Sequence, residues 1–555
     1  MKVTDTGDLW WKNAVVYCAD VETFFDSDGD GVGDLGGMAQ RLDHLAQLGV
    51  TCLWLMPFYP TAHQDDGYDI TDHYGVDPRL GSHGDLVELV RTARDRGIRV
   101  IADLVVNHTS DRHPWFRAAL RDPEGPYRDF YVWRSDPPPD TSAQVVFPGE
   151  QEGIWERDEA SGEYYLHRFY KHQPDLNVAN PRVRDEIAKV IGFWLELGLS
   201  GFRVDAVPFF IETLGLDAED ATGDPHDYLR ALRSVVGRRV GDAILLGEIN
   251  LPYDEQRAYF GSGNGDEVTM IFDFVAMQKA YLAMARQDAR PLVEALLARP
   301  EIPPDCQWAT FLRNHDELTL DKLSEDERAE VFAAFGPDEE MQLYGRGLRR
   351  RLPPMLDGDP RRLRLAYSLL FALPGTPTLF YGEEIGMGEN LDIPGRVAVR
   401  TPMQWAGGPT AGFSPGGVRR LVRRPPSGGF GPDHVNVADQ RRDPDSLLSF
   451  IGLLVQRYRE CPELGWTDVH VLEQPHAAVL ALCSSVDDAA MITLHNLGPE
   501  PVRVPLRVPV ADATHLVDVL ADGGIDVGEG AAEVDLDGYG YRWLRVVSPS
   551  TRRLV

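Results

Sequence analysis

The chain has 555 residues, 43% hydrophobic and 26% charged, with no low-complexity tract or solenoid repeat, so a globular protein of more than one domain is expected. Its 87 acidic residues against 55 basic ones leave a formal net charge of −32, which repels a phosphate backbone and an anionic membrane surface; neither nucleic acid nor membrane is expected as a partner. The opening MKVTDTGDLWW has no apolar signal core, and no apolar run approaches the ~18 residues that span a bilayer, so a cytoplasmic location is expected. Cys18, Cys52, Cys306, Cys461 and Cys483 are too few and scattered for a disulfide framework or zinc site, and read as reduced core residues.

Short runs rich in Val, Ile, Leu and Phe alternate with amphipathic stretches, and each run ends in polar residues, as in a parallel sheet with helical crossovers. In order they are AVVYCAD (14–20), CLWLMP (52–57), RVIADLVVNH (99–108), GFRVDA (201–206), AILLGEI (243–249), TMIFDF (269–274), WATFLRNHDE (308–317) and TPTLFYGEE (376–384). Eight such runs predict an α/β fold, a closed (β/α)8 TIM barrel. Helical spacing falls between them: Leu42, Leu45 and Leu48 before Gly49, then Leu86, Leu89 and Val90 before Gly97.

Two departures from an even barrel stand out. More than ninety residues separate 108 from 201, partly aromatic and turn-rich, which predicts an inserted subdomain after strand 3 over the barrel mouth. Beyond residue 465 the pattern changes to short alternating strands such as AAVLALCSS and AMITLHNL, predicting a C-terminal antiparallel β-sandwich. The expected organisation is barrel over 1–108, subdomain over 109–180, barrel with long loops over 181–465 and sandwich over 466–555. The Gly/Pro/Arg-rich stretch 409–433 reads as a long functional loop or a poorly ordered segment.

After the first run, DSDGDGVGD (26–34) sets Asp26, Asp28 and Asp30 at alternating positions, then Gly31, the Val32 carbonyl and Asp34, the order of oxygen donors in a calcium loop. The closing glutamate of an EF-hand is replaced by Gly37 and no helix pattern precedes, so a sensor EF-hand is not expected. A calcium-binding turn and a solvated acidic turn both remain.

In a barrel, polar residues at the C-terminal ends of strands point into the active site. Here those ends carry Asp103, Asn107 and His108 on strand 3, Arg203 and Asp205 on strand 4, Glu248 on strand 5, and His315 and Asp316 on strand 7. Carboxylates converging on one mouth repel each other unless a cation or substrate justifies them. Retaining glycoside cleavage uses an ionised carboxylate as nucleophile and a protonated carboxyl as acid, then base. Asp205, two residues from the permanent charge of Arg203, suits the nucleophile, and Glu248, in the apolar setting ILLGEI, suits the acid/base. Asp316 suits the binding of sugar hydroxyls and an oxocarbenium-like state. His108 and His315 fit hydroxyl donors better than metal ligands.

Together DLVVNH, GFRVDAV, GEIN and FLRNHDE, with QPDLN and GTPTLFYGEEIGM, resemble in order and spacing the sequence regions of the alpha-amylase family, glycoside hydrolase family 13. The resemblance covers nearly the whole chain and implies Asp205 as nucleophile, Glu248 as acid/base and Asp316 as stabiliser. It also implies a glucosyl subsite lined by Asp65, Tyr68, His108, Arg203 and His315, with Tyr68 as stacking platform. Stretches such as MPFYPTAHQDDGYDITDHYG, HRFYKHQPDLN and VRTPMQW resemble the trehalose synthase branch of that family. This implies intramolecular transglucosylation that interconverts maltose and trehalose, with Arg400 shaping the pocket beyond the glucosyl subsite. YCADVETFF, GEIN and DIPGRVAVR depart from that branch and bear on the acceptor side. An α-glucosidase hydrolysing maltose or short α-glucosides by the same double displacement is therefore the alternative. A non-catalytic binding relative is expected to lack one of the three carboxylates, and all three are present.

The resemblance further implies structural Ca2+ in one or two sites and no organic cofactor. The first would use Asp26, Asp28, Asp30, Val32 and Asp34; the second Asn107, Asp175, the carbonyls of Phe209 and Phe210, and Glu212. Hydrogen-bonded core roles for Asn107 and Asp175 stand beside the second. A disaccharide or short α-glucoside is the expected small-molecule partner, with a homo-oligomer and a maltose kinase left open.

Overall fold

The computed structural model describes residues 9–213, 224, 226–466, 468–486 and 489–549. Eight parallel strands close into a barrel: β1 (Val16–Ala19), β2 (Cys52–Leu55), β3 (Arg99–Leu104), β4 (Gly201–Val204), β5 (Ile244–Gly247), β6 (Met270–Phe272), β7 (Gln307–Phe311) and β8 (Thr376–Phe380). Pairing of β1 with β8 closes it, with Val16 beside Thr378. Each strand falls on one of the eight runs. Their side chains are almost all buried, because helices cover the outside and side chains fill the inside, so the runs are apolar without alternation. Gly201 opens β4 at a φ of +141°, where a Cβ would stand 2.3 Å from the Ile244 carbonyl oxygen; the strands meet that closely only with glycine.

Local signals set the helices around the barrel. The helix Leu35–Leu48 starts where the Asp34 side chain accepts the Gly37 N–H, and stops at left-handed Gly49, whose N–H donates to the carbonyls of Ala46 and Leu45. Leu42, Leu45 and Leu48 face the core, each burial stabilising by roughly 1.5–3 kcal/mol. Ser82 and Asp85 form a reciprocal capping box at the start of His83–Asp95.

Two excursions rise over the barrel mouth. Between β3 and β4 the chain forms the helix Pro114–Arg121 and a three-stranded antiparallel sheet of Trp133–Arg134, Tyr164–Leu166 and Trp155–Arg157. Between β7 and β8 lies a second one absent from the sequence reading, the helix Glu325–Phe335 with a small sheet of Leu318–Thr319, Gly347–Leu348 and Gln342–Leu343. These strands are only two residues long, too short for a period-two pattern to register.

The C-terminal region holds a six-stranded antiparallel sheet facing a two-stranded one, Val502–Arg507 with Ala531–Leu536. Val479, Ala481, Cys483, Ile492 and Leu494 of the larger sheet share a core with Val504, Leu506 and Val534 of the smaller. The alternate residues Leu480, Leu482 and Met491 join the main core instead. One strand thus serves two cores by its period of two. The five cysteines are free and buried. Among the described residues, no helix is long and apolar enough to cross a membrane.

Candidate active site

Asp205 and Glu248 stand directly after β4 and β5 and are organised by one guanidinium, while Asp316 stands in the loop after β7. Arg203, on β4 and 1% exposed, donates from Nη1 to Asp205 Oδ1 at 2.6 Å and from Nη2 to Glu248 Oε2 at 2.6 Å. Nη1 also pairs with Asp103 at the end of β3, whose other oxygen accepts Trp54 Nε1–H at 2.7 Å. Carboxylates from β3, β4 and β5 thus share one buried cation, which lets them stand together without mutual expulsion. Ala206, directly after Asp205, has a φ of 52°, a left-handed conformation strained for alanine, and its N–H donates to Glu248 Oε2 at 3.3 Å.

The three carboxylates are driven to different proton affinities. Burial pushes Asp205 up to about 6 against the pull of Arg203. Burial pushes Glu248 up to about 7, opposed by Arg203 and reinforced by Asp205 and Asp316. Burial acts the same way on Asp316, but His315, Arg396 and Arg400 reverse it and hold that carboxyl well below the usual range. Near neutral pH Glu248 is the one of the three best able to carry a proton and Asp316 is a fixed anion, the separation that acid/base work requires.

Around them sit the residues expected of a sugar pocket. Tyr68 is hydrogen-bonded through its hydroxyl to His315 Nε2 at 2.6 Å, with the two rings stacked 7° from parallel. His315 Nε2 also lies 3.1 Å from Asp316 Oδ2, and His108 Nε2 lies 3.2 Å from the Tyr68 carbonyl. Burial brings His108 down to about 4, so its ring is neutral at neutral pH, with Nε2 on the Tyr68 carbonyl and Nδ1 3.4 Å from Asn107 Nδ2. Asp65 accepts Gln173 Nε2–H at 2.8 Å. Arg400 is fully buried and reaches the pocket only through others, donating to Asp316 Oδ1 at 2.8 Å, Asp66 Oδ2 at 2.6 Å and the His315 carbonyl at 2.7 Å.

Sequence reasoning missed Arg396. From the turn Gly395–Val399 it bridges Asp65 and Asp316, donating to Asp316 Oδ1 at 2.9 Å, with its guanidinium 5.0 Å from the Phe147 ring centroid. No local pattern marked it, because its partners Asp65 and Asp316 lie 331 and 80 positions away on other loops. The pocket opens into a cavity of about 350 Å³ bounded by Glu248, Asn250, Asp316, Glu317 and Arg396 below and by Val145, Phe147 and Phe169 of the subdomain above. Arg346 latches that roof, donating to the Val146 carbonyl at 2.7 Å, and Phe147 stacks on Tyr170 at 4.6 Å.

Two places suit a hard cation. In the turn 26–34, Asp26, Asp28 and Asp34 offer carboxylate oxygens within 4.8 Å of one another. All four aspartates of the turn also accept backbone N–H groups, Asp26 from Gly31 at 2.8 Å, Asp28 from Asp30 at 3.0 Å, Asp30 from Val32 at 2.8 Å and Asp34 from Gly37 at 2.7 Å. Beneath the subdomain, Asn107 Oδ1 and Asp175 Oδ2 are both buried without a partner, while Asn107 Nδ2 donates to Asp175 Oδ1 at 3.3 Å. Two buried oxygens without partners, on side chains hydrogen-bonded to each other, are donors of the kind a hard cation takes. Phe209 and Phe210 lie inside the helix Val207–Thr213; the Glu212 side chain falls outside the described residues.

A barrel with these carboxylates at its mouth matches known sequences along its length. Residues 20–334 match the alpha amylase catalytic domain. The chain belongs to the alpha-amylase family. Residues 489–545 match the sucrose hydrolase-like C-terminal domain. Across the family, the chain is 40% identical to the trehalose synthase/amylase TreS of Mycobacterium tuberculosis over 551 residues, which covers 97% of this chain and 90% of that one. It is 38% identical to the trehalose synthase of Pimelobacter sp. over 561 residues, 98% of this chain and 96% of that one. Among solved structures of the family, the trehalulose synthase MutB of Pseudomonas mesoacidophila superposes with a TM-score of 0.76 at 25% identity, covering 97% of this chain and 99% of that one.

Proposed function

We propose that this alpha-amylase family enzyme interconverts maltose and trehalose by intramolecular transglucosylation through a β-glucosyl-enzyme on Asp205. The observation that carries the chemistry is the single Arg203 guanidinium holding both Asp205 and Glu248 at 2.6 Å. Neighbouring nitrogens of one guanidinium keep the two carboxyls close, in keeping with the ~5–5.5 Å of double displacement rather than the ~6.5–9.5 Å of inverting enzymes. The choice of maltose and trehalose is supported by relatives named trehalose synthases at about 40% identity over most of the chain.

In the first step an Asp205 oxygen attacks the anomeric carbon of the glucosyl unit while Glu248 gives its proton to the glycosidic oxygen. The glycosidic bond breaks and glucose is freed. Asp316, held anionic by Arg396 and Arg400, steadies the positive charge on the ring through its hydroxyls and field. The freed glucose stays under the roof of Val145 and Phe147, turns, and offers its anomeric hydroxyl. Glu248 takes that proton, the oxygen attacks the anomeric carbon, and Asp205 leaves as a carboxylate. Water entering in place of glucose gives hydrolysis, so the roof decides the product.

Calcium is part of the same reading, bound by the turn of Asp26, Asp28, Asp30, Val32 and Asp34 and beside Asn107 and Asp175. It would supply structural ties, one for the strand-to-helix turn and one between subdomain and barrel. A cytoplasmic location, a disaccharide as the small-molecule partner and no organic cofactor complete it. Incubation with maltose, with glucose and trehalose resolved, tests the proposal. Trehalose as a main product is expected, glucose alone favours the α-glucosidase alternative, and no turnover of any α-glucoside overturns both.

A further inference from the structure

The stretch 409–433 is a strap laid flat over the acidic turn 26–34. Asp26 N–H donates to the Phe413 carbonyl at 2.9 Å, Val422 N–H to the Gly31 carbonyl at 2.9 Å, and Arg420 Nη1 to the Gly29 carbonyl at 3.3 Å. The approach is so close that a Cβ on Gly31, at a φ of +101°, would fall 1.9 Å from the Arg420 carbonyl oxygen. Beyond this contact the strap turns Arg423 inward, leaving its side chain 12% exposed.

Arg423 forks around Arg400. Its Nη1 donates to the Arg400 carbonyl at 3.2 Å, and its Nη2 pairs with Asp66 and lies 3.1 Å from Glu22 Oε2. Asp66 in turn accepts Arg400 Nη1–H at 2.6 Å. Arg400 is thus gripped at its carbonyl by Arg423 and at its guanidinium by the carboxylate that Arg423 also holds. The remaining nitrogens of that guanidinium donate to Asp316 Oδ1 and to the His315 carbonyl. Asp66 sits at a φ of 52°, a left-handed conformation that persists where surrounding contacts fix it.

We propose that Arg423 is a positioning residue for Asp316, delivered by the 409–433 strap and acting through Asp66 and Arg400. The proposal rests on the reading of Asp316 as a catalytic carboxylate and extends it to a side chain that touches no substrate. Arg423 faces three buried or half-buried carboxylates, Asp20, Glu22 and Asp66; the other cations in reach are Arg79, 2.6 Å from Glu22, and Arg400. Without Arg423, Arg79 and Arg400 would be left to face Asp20, Glu22 and Asp66, with Arg79 also held by Asp77 and Arg400 by Asp316, and leaving buried charge uncompensated is strongly unfavourable. Asp66 would take up a proton or swing away, and Arg400 would lose the anchor opposite Asp316. A lysine keeps the charge but lacks the planar pair of nitrogens that spans Asp66 and the Arg400 carbonyl.

The test measures kcat and KM on maltose and on p-nitrophenyl α-glucoside, with melting temperatures, for the wild type, Arg423→Lys, Arg423→Gln, Asp66→Asn and the Asp66→Asn/Arg423→Gln double variant. Arg423→Gln is expected to lower kcat/KM by about 10- to 100-fold, chiefly in kcat, with Arg423→Lys between it and the wild type. The double variant is expected within about 3-fold of the weaker single one, because both act through Arg400. Activity of Arg423→Gln within about 2-fold of wild type well below its melting temperature, or losses that multiply in the double variant, would overturn the proposal. If Arg423→Gln fails to fold, Arg423→Lys and Asp66→Asn decide: lowered kcat with near-native melting supports it, and unchanged kcat in both overturns it. A wild type inactive on both substrates overturns the reading of Asp316 on which it rests, before any variant is compared.

Discussion

Arg203 Nη2 donates to Glu248 Oε2 at 2.6 Å, so the group assigned as acid/base rests against a permanent positive charge. Burial nevertheless lifts Glu248 to about 7 and Asp205 to about 6. Activity needs Asp205 ionised and Glu248 protonated. The rate therefore rises as pH climbs through the lower value and falls as it passes the higher one, giving a bell whose two limbs belong to the coupled pair. A profile of kcat/KM against pH on maltose checks this. On α-glucosyl fluoride, whose leaving group needs no proton, Glu248→Gln should lose the alkaline limb of the glycosylation step.

Asp205→Asn removes the nucleophile while leaving a side chain of the same shape on Arg203. The expected loss in kcat on maltose is about a thousandfold or more, read as release of glucose plus trehalose. Melting should change little by comparison, since the neutral amide relieves repulsion among the buried carboxylates as it weakens the pair with Arg203.

Arg346 fastens the subdomain roof through the Val146 carbonyl at 2.7 Å and lies 3.6 Å from Glu317. Arg346→Ala should loosen the roof over the acceptor cavity and admit water. The ratio of glucose to trehalose formed from maltose is expected to rise severalfold, while total maltose consumption falls less.

Chelation should lower the melting temperature, and added Ca2+ should restore it. A cation at about a hundred times its dissociation constant stabilises by ~2.7 kcal/mol. Asp26→Asn should abolish most of the response of the turn 26–34, and Asn107→Ala that of the site beneath the subdomain, each read by calorimetry with and without calcium.

Trp543, fully buried in the C-terminal sheet, donates from Nε1 to Ser368 Oγ on a barrel helix at 3.0 Å. Trp543→Ala should destabilise the chain by about 3–5 kcal/mol, seen in denaturant unfolding, with kcat on maltose unchanged below the transition.

The sequence by itself determined the barrel and its chemistry. Strands buried on both faces must be apolar throughout, so the eight runs were visible, and the polar residues ending them, Asp205, Glu248 and His315–Asp316, had to face the mouth. The C-terminal sandwich was visible for the complementary reason, its strands alternating between two cores. The pairing of the loop arginines with the pocket carboxylates was decided by tertiary structure alone. Arg396 meets Asp65 across 331 positions, Arg400 meets Asp66 across 334, and Arg423 meets Asp66 across 357. An arginine in a loop carries no period and no local propensity that names its partner. Only the closing of the barrel, which sets the loops after β2, β7 and β8 side by side, turns those separated charges into one network around Asp316.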